Sequence, residues 1–366
     1  MGIKLAVAAK TDVGKVRTNN EDAYVVADLN RGERVTAEKP SDFDVKERGV
    51  LLAVSDGMGG EQAGEVASAL VVETLRKVLV EDAPEEEEGK TAITTIIENA
   101  VKKANEEVFA AAKDPGKRGM GATLTAVYVQ GPSAYIAEIG DSRAYLIRGR
   151  RIRQMTKDQS FVQLLLDSGA ITEEEAKNYP HKNIILQAIG QQKILNIAVG
   201  RLKLRRGDRI LICSDGLSNK VTPEEMHEVV CAATGLERAC AKLIETANER
   251  GGDDNVTVVL AQATGDDLST YRDEESVTQT FEVVKAGPNT DVKSEPPPPN
   301  TAAADEKEVA VSEATAPPEG AAAENADAVD PNPPTAEELK SRPLQLVVAA
   351  LMMAVMIGVF YLLMKD

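Results

Sequence analysis

An α+β layered sandwich is the fold class this sequence predicts, and three observations predict it. Short β-branched and apolar runs cluster between residues 119 and 155, and again between 184 and 213, instead of alternating one by one with helices. Helical periodicity comes in pairs, at 61–80 with 91–112 and at 223–233 with 236–249. Acidic residues stand at the ends of three apolar runs, in GVLLAVSDGMGG (49–60), RILICSDGL (209–217) and GDDNVTVV (252–259). Segregated strands and helices favour sheets covered by helix pairs over alternating βαβ units.

Taken in order, Ile3, Leu5 and Val7 mark one face of a first strand, and a polar turn holding Arg17, Asn20, Glu21 and Asp22 leads into a second strand near Ala23. The run Val50–Val54 delivers Asp56 to a strand end. Val66, Leu70, Val71, Leu75, Val78 and Leu79 then share one side of a helix, as do Ile93, Ile96, Ile97, Val101, Ala104 and Val108 of a second. Residues 119–130, 133–147 and 151–155 read as successive antiparallel strands, with Asp141 in a Gly-Asp-Ser-Arg turn. Residues 158–180 read as short helices around Ser168-Gly169, an excursion from the sheet that could act as a flap. Strands resume at 184–189, 197–204 and 209–213, two helices follow, and a strand at 255–263 closes the domain.

Residues 265–343 are different material, with the proline run Pro296–Pro299, many alanines and many acids, a composition that cannot bury enough surface to fold. The following stretch, 344–364, has no charged residue and matches the roughly 20 residues of a bilayer-spanning helix. The chain carries a net charge of −17, of which −12 lies beyond residue 264, so residues 1–264 are nearly balanced. No strongly basic face is present, which excludes nucleic-acid binding through counterion release. Cys213, Cys231 and Cys240 include no Cys-x-x-Cys pair and fit reduced thiols in a cytosol-facing domain. The opening residues alternate like a strand rather than a secretory signal, and Ala6 stands where a myristoylation signal wants Ser or Thr.

An Asp-Gly after one strand is ordinarily a hairpin turn. Three acidic strand ends in one domain instead suggest converging carboxylates, which hard divalent cations stabilise. Arg17-x-x-Asn20-Glu21-Asp22, Asp56-Gly57-Met58-Gly59-Gly60, Gly119-x-Gly121-Ala122-Thr123, Gly140-Asp141-Ser142-Arg143, Ser214-Asp215-Gly216 and Asp254-Asn255 occur in one order. In that order they resemble the metal-dependent serine/threonine phosphatases of the protein phosphatase 2C (PPM) family, bacterial branch, over residues 1–264.

The resemblance implies a four-layer αββα sandwich of two antiparallel sheets flanked by helix pairs. It implies two Mn²⁺ or Mg²⁺ ions per site, with a third, weaker ion, and a metal-activated water that hydrolyses phosphoserine and phosphothreonine on proteins. Carried over by residue, Asp56 bridges the two ions and the Gly57 carbonyl binds one of them, while Asp215 and Asp254 complete the other. Glu21 and Asp22 act through metal-bound water, Asp141 with Asp215 holds the third ion, and Arg17 grips substrate phosphate. Two departures stand out: Met58 replaces a histidine taken to protonate the leaving group in many relatives, and Gln159 interrupts an Asp-His-Ser pattern. The leaving-group proton is then expected from metal-bound water, with His181 a lesser candidate, and His227 reads as a surface residue.

The Arg148–Arg153 run reads as a solvated strand edge, or as a dock for acidic phosphoproteins. The whole predicts a monomeric catalytic domain on a disordered tether, tail-anchored in a membrane with the domain in the cytoplasm and acting in signalling. Lys340 and Arg342 before the span favour that orientation, and phosphorylated proteins, membrane-bound Ser/Thr kinases among them, are the expected partners. The rival reading is a metal-binding pseudophosphatase or membrane scaffold without turnover.

Overall fold

A computed structural model describes residues 2–34, 41–59, 63–81, 93–177, 179–180, 184–271 and 281–285, all within one compact unit, Met1–Val292. Its strands in chain order are β1 (Lys4–Asp12), β2 (Asp22–Asp28), β3 (Glu33–Arg34), β4 (Ser41–Asp44), β5 (Val50–Met58), β6 (Gly121–Ala122) and β7 (Leu124–Gln130). They continue as β8 (Ser133–Ile139), β9 (Arg143–Arg148), β10 (Arg151–Gln154), β11 (Ala198–Lys203), β12 (Arg209–Cys213), β13 (Val256–Thr264) and β14 (Phe281–Lys285). The long helices are α1 (Ala63–Glu81), α2 (Ile93–Ala111), α6 (Pro223–Ala232) and α7 (Leu236–Glu249); α3 (Phe161–Asp167), α4 (Glu173–Lys177) and α5 (Asp215–Ser218) are short.

One sheet runs β10-β9-β12-β13-β1-β4 and the other β14-β11-β8-β7-β5-β2-β3, with β6 paired to the end of β5. Neighbouring strands are antiparallel throughout. The alternation of side chains along each strand builds the layers. In β5, Val50, Leu52 and Val54 enter the core between the sheets, against Leu146, Ile212 and Val259 of the opposite sheet. Leu51 and Ala53 point the other way, onto Val71 and Leu75 of α1 and Val101 of α2. On the far side, Leu211, Cys213, Val258 and Leu260 pack against Met226 and Val230 of α6 and Leu243 and Ile244 of α7. Both faces of the central strands are therefore covered, which is why they read as unbroken apolar runs in the sequence. The result is the expected αββα sandwich of two antiparallel sheets.

Four details differ from the sequence reading. The run 133–147 is two strands in different sheets: at Gly140, whose φ of +101° suits glycine, the chain leaves one sheet after β8 and enters the other as β9. The run 119–130 is broken at Thr123, whose backbone N–H turns to the Asp56 carbonyl at 2.8 Å. Residues 184–189 form no strand but two isolated bridges, Ser160↔Ile185 and Ala122↔Ile189, because they tie the α3–α4 excursion shut at its base. Finally, the folded body continues past residue 264. Leu268 is buried, the Arg206 N–H donates to the Ser269 carbonyl at 2.9 Å, and β14 adds an edge strand to β11, so the expected linker does not begin at 265. The remaining linker, 286–343, and the apolar stretch 344–364 lie outside the described residues.

Candidate functional site

At one end of the sandwich the strand ends bring acids together from both sheets. Asp22 opens β2 and faces Asp56 of β5 in the ladder register. Asp215 follows β12, Asp254 precedes β13, and Asp141 occupies the connection where the chain changes sheets. The Asp56 and Asp215 carboxyls lie close enough to repel each other. Asp141 is buried and Asp22, Asp56 and Asp215 are partly buried, and Asp254 lies close enough to repel Asp22, Asp56 and Asp215.

Burial of like charges sets the electrostatics. Burial, then the fields of Asp22, Asp215, Asp141 and Asp254, hold the Asp56 carboxyl well above the usual carboxylate range. Burial also pushes Asp22 up to about 7, aided by Asp215 and Asp254, although Thr257 and Ser214 hydrogen-bond to it. Asp141 is pushed up to about 7 by burial, Asp215 and Asp158, with Arg143 opposing. Asp215 is raised by burial and by Asp254.

Two oxygens of this cluster, Asp22 Oδ1 and Asp215 Oδ1, are buried with no hydrogen-bond partner. A buried acceptor without a donor costs about 1–3 kcal/mol. Oxygen donors with surplus negative charge and unfilled lone pairs suit a hard divalent cation. Among the described residues no three such side chains already close on one point as a finished cage. The orphan oxygens and raised proton affinities, not a preformed cage, mark the site as one that cations fit.

The loops around the cluster are held by hydroxyls and amides. Ser214 stands at the N-cap of α5 but makes no capping bond; its Oγ donates instead to Asp22 Oδ2 at 2.7 Å. Asn255 accepts the Glu21 N–H at 2.8 Å and donates to the carbonyls of Val13 and Asn19, both at 2.9 Å, joining the Glu21 loop to the start of β13. The Lys15 and Val16 N–H groups donate to the Gly252 carbonyl, at 2.8 and 3.2 Å. That pairing brings half-exposed Arg17 beside Asp254, its guanidinium donating to Oδ2 at 2.8 Å. Burial raises the proton affinity of Glu21, against the pull of Arg17. The first turn of α1 presses so closely that a Cβ on Gly64 would lie 2.7 Å from the Glu21 carboxyl carbon, and one on Gly57 would collide with the Gly64 carbonyl.

Arg17, Glu21, Asp22, Asp56, Gly57, Asp141, Asp215 and Asp254 are thus all at this end of the molecule. Met58 ends β5 opposite Gly121. His227 is not at the site: its ring reaches the Gly149 carbonyl at 3.2 Å, at the opposite end of β9 from Arg143. His181 lies outside the described residues. Roles that the sequence did not suggest belong to Ser214, Asn255, Thr123 and Gln159. Gln159 clamps the sheet-changing turn, accepting the Gly140 N–H on Oε1 at 2.9 Å while its own N–H donates to the Gly140 carbonyl at 2.8 Å. The available signal was a polar residue breaking an apolar strand beside each acid, as Ser55 and Ser214 do.

Residues 40–261 match the protein phosphatase 2C family profile. The serine/threonine protein phosphatase PstP of Mycobacterium tuberculosis is 39% identical over 258 residues, which are 70% of this chain and 45% of that protein. This chain therefore spans less than half the length of that relative. Protein phosphatase PhpP of Streptococcus pneumoniae is 35% identical over 269 residues, covering 72% of this chain and 99% of that one. Among solved structures, the PstP catalytic domain in complex with two manganese ions superposes with a TM-score of 0.58 at 36% identity, over 72% of this chain and all of that one. Strand-end acids, sandwich and relatives agree, and this chain belongs to the protein phosphatase 2C family.

Proposed function

We propose that this chain is a metal-dependent protein serine/threonine phosphatase. The observation that carries the reading is the gathering of buried carboxyls from both sheets, two of them with orphan oxygens, at one end of the sandwich. Asp56, the Gly57 carbonyl, Asp215 and Asp254 would hold two Mn²⁺ or Mg²⁺ ions, Glu21 and Asp22 would act through bound water, and Asp141 with Asp215 would hold a third ion. When bound, the ions supply a water acidic enough to attack near neutral pH and neutralise the phosphoryl charge. Arg17, at the exposed rim, offers a planar fork to the phosphate. Its bond to Asp254 keeps that fork over the cluster.

The substrates are phosphoserine and phosphothreonine proteins, membrane-bound Ser/Thr kinases among them, reached from a tail anchor at 344–364 with the catalytic domain in the cytoplasm. The support for anchoring is sequence alone: a charge-free stretch of bilayer length flanked by Lys340 and Arg342. The defining experiment is phosphate release from a phosphothreonine peptide by the full chain. Release should need Mn²⁺ or Mg²⁺, stop with chelator and return on adding metal back; binding of the ions without release would favour a scaffold instead.

A further inference from the structure

Between the strand end that carries Asp56 and the turn that carries Asp141 runs a row of buried hydroxyls with no part in the roles above. Ser55, Thr123, Thr125 and Ser142 are each no more than 3% exposed. Thr123 holds both backbone groups of Asp56: its Oγ1 accepts the Asp56 N–H at 2.9 Å and its N–H donates to the Asp56 carbonyl at 2.8 Å. The same Oγ1 lies 2.8 Å from Ser142 Oγ, and Ser142 follows Asp141 in the chain. Two further bonds brace the pair: Thr125 Oγ1 donates to the Ser142 carbonyl and Ser55 Oγ to the Thr123 carbonyl, both at 2.6 Å. The turn also presses on Thr123, since a Cβ on Gly140 would lie 2.7 Å from Thr123 Cγ2.

Alanine at 142 would fill nearly the same space without burying a polar atom, so packing alone gives no reason for that hydroxyl. What the hydroxyls add is direction. They join two acid-bearing segments that belong to different strands and whose carboxyls repel each other. Gln159 grips Gly140 from the other side, so the turn stays folded even where the hydroxyl contact is lost.

We propose that Thr123 and Ser142 are positioning residues that fix Asp141 against Asp56, so that cation binding at Asp56 is felt by the Asp141 turn. The proposal rests on the reading that these acids hold cations. Its test is hydrogen exchange of the full chain in mild detergent, with and without Mn²⁺, alongside the Mn²⁺ dependence of phosphopeptide hydrolysis.

In the wild type, Mn²⁺ should slow exchange in both segments, 54–58 and 140–144, by about tenfold or more. In Ser142→Ala, where Thr123 still satisfies the Asp56 N–H, slowing should persist at 54–58 and largely vanish at 140–144. Half-saturating Mn²⁺ for turnover should rise by at least about fivefold. Thr123→Ser, which keeps the hydroxyl, should retain the wild-type response. A Ser142→Ala chain whose turn still responds to Mn²⁺ like the wild type overturns the proposal. So does one in which metal-free exchange quickens at both segments alike, since that would mean general loosening. A wild-type chain indifferent to Mn²⁺ in exchange and in turnover overturns the cation reading, and this proposal with it.

Discussion

Held beside Ser214 and Thr257, the Asp22 carboxyl keeps its proton up to about pH 7, and that fixes how stability varies with pH. An unfolded aspartate releases its proton near about pH 4. Between about 4 and 7 the folded chain therefore binds more protons than the unfolded one, so stability falls as pH rises, by at most about 1.4 kcal/mol per pH unit for each such group. Asp141 adds to the same window, and Glu138, pushed up to about 8 by burial, extends it. Thermal melts of metal-free protein should thus lose Tm from pH 4 to 8. Saturating Mn²⁺ should remove most of that slope and leave the part due to Glu138, whose carboxyl accepts the Lys157 N–H and faces Asp158 instead of the clustered acids. Asp22→Asn should flatten the metal-free profile; a slope unchanged in that variant would contradict the raised proton affinity. Two further substitutions separate roles in the site. Asp254→Ala, removing a carboxylate and the partner that holds Arg17, should lower kcat to below about a hundredth of wild type at saturating Mn²⁺ while the far-ultraviolet spectrum is kept. Arg17→Ala should chiefly raise KM for phosphopeptide, because a rim guanidinium binds ground and transition states alike.

At the scale of elements, the edge of the β14 sheet decides where the folded body ends. Truncation after residue 264 removes Leu268 from its buried seat and strips β14 from β11, leaving β11 as a bare edge. That truncate should melt several degrees below one ending at 292 and scatter light on heating; equal melting points would show that the added strand contributes nothing. Phe281–Lys285 was hard to see because the run FEVVK sits inside an acidic, proline-rich context whose composition outweighs five residues. Gly140 hid its meaning for another reason: a glycine turn between two β runs looks the same whether the second strand pairs with the first or crosses to another sheet. Residues 184–189 have strand propensity, but the Leu186 N–H and Gln187 side chain are spent on Gln159 at the base of the excursion, and tertiary context overrode propensity. By contrast Asp56, Asp215 and Asp254 were legible because an acid beside glycine or asparagine at the end of an apolar strand is a local signal. The hydroxyls that hold those acids were not, since a serine in a strand says nothing of its distant partner.

For the whole molecule, the proposed anchor gives a clear outcome in cell fractions. The full chain should sediment with membranes, and deleting residues 344–366 should release it without changing kcat on a small phosphopeptide. Full-length protein found in the soluble fraction would end the anchoring proposal. The division of the acids between the sheets has a longer consequence. Asp22 and Asp56 ride on one sheet, Asp215 and Asp254 flank strands of the other, and the packed layer of Val54, Leu146, Ile212 and Val259, with the Ser214–Asp22 and Asn255–Glu21 bonds, sets the distance between them. A methyl group gained or lost in that layer shifts one pair of acids relative to the other, because close-packed interiors pass strain along instead of absorbing it. The interior of this protein is therefore not free to drift as an ordinary core drifts: over generations, side chains that never meet a substrate inherit the tolerances of the reaction.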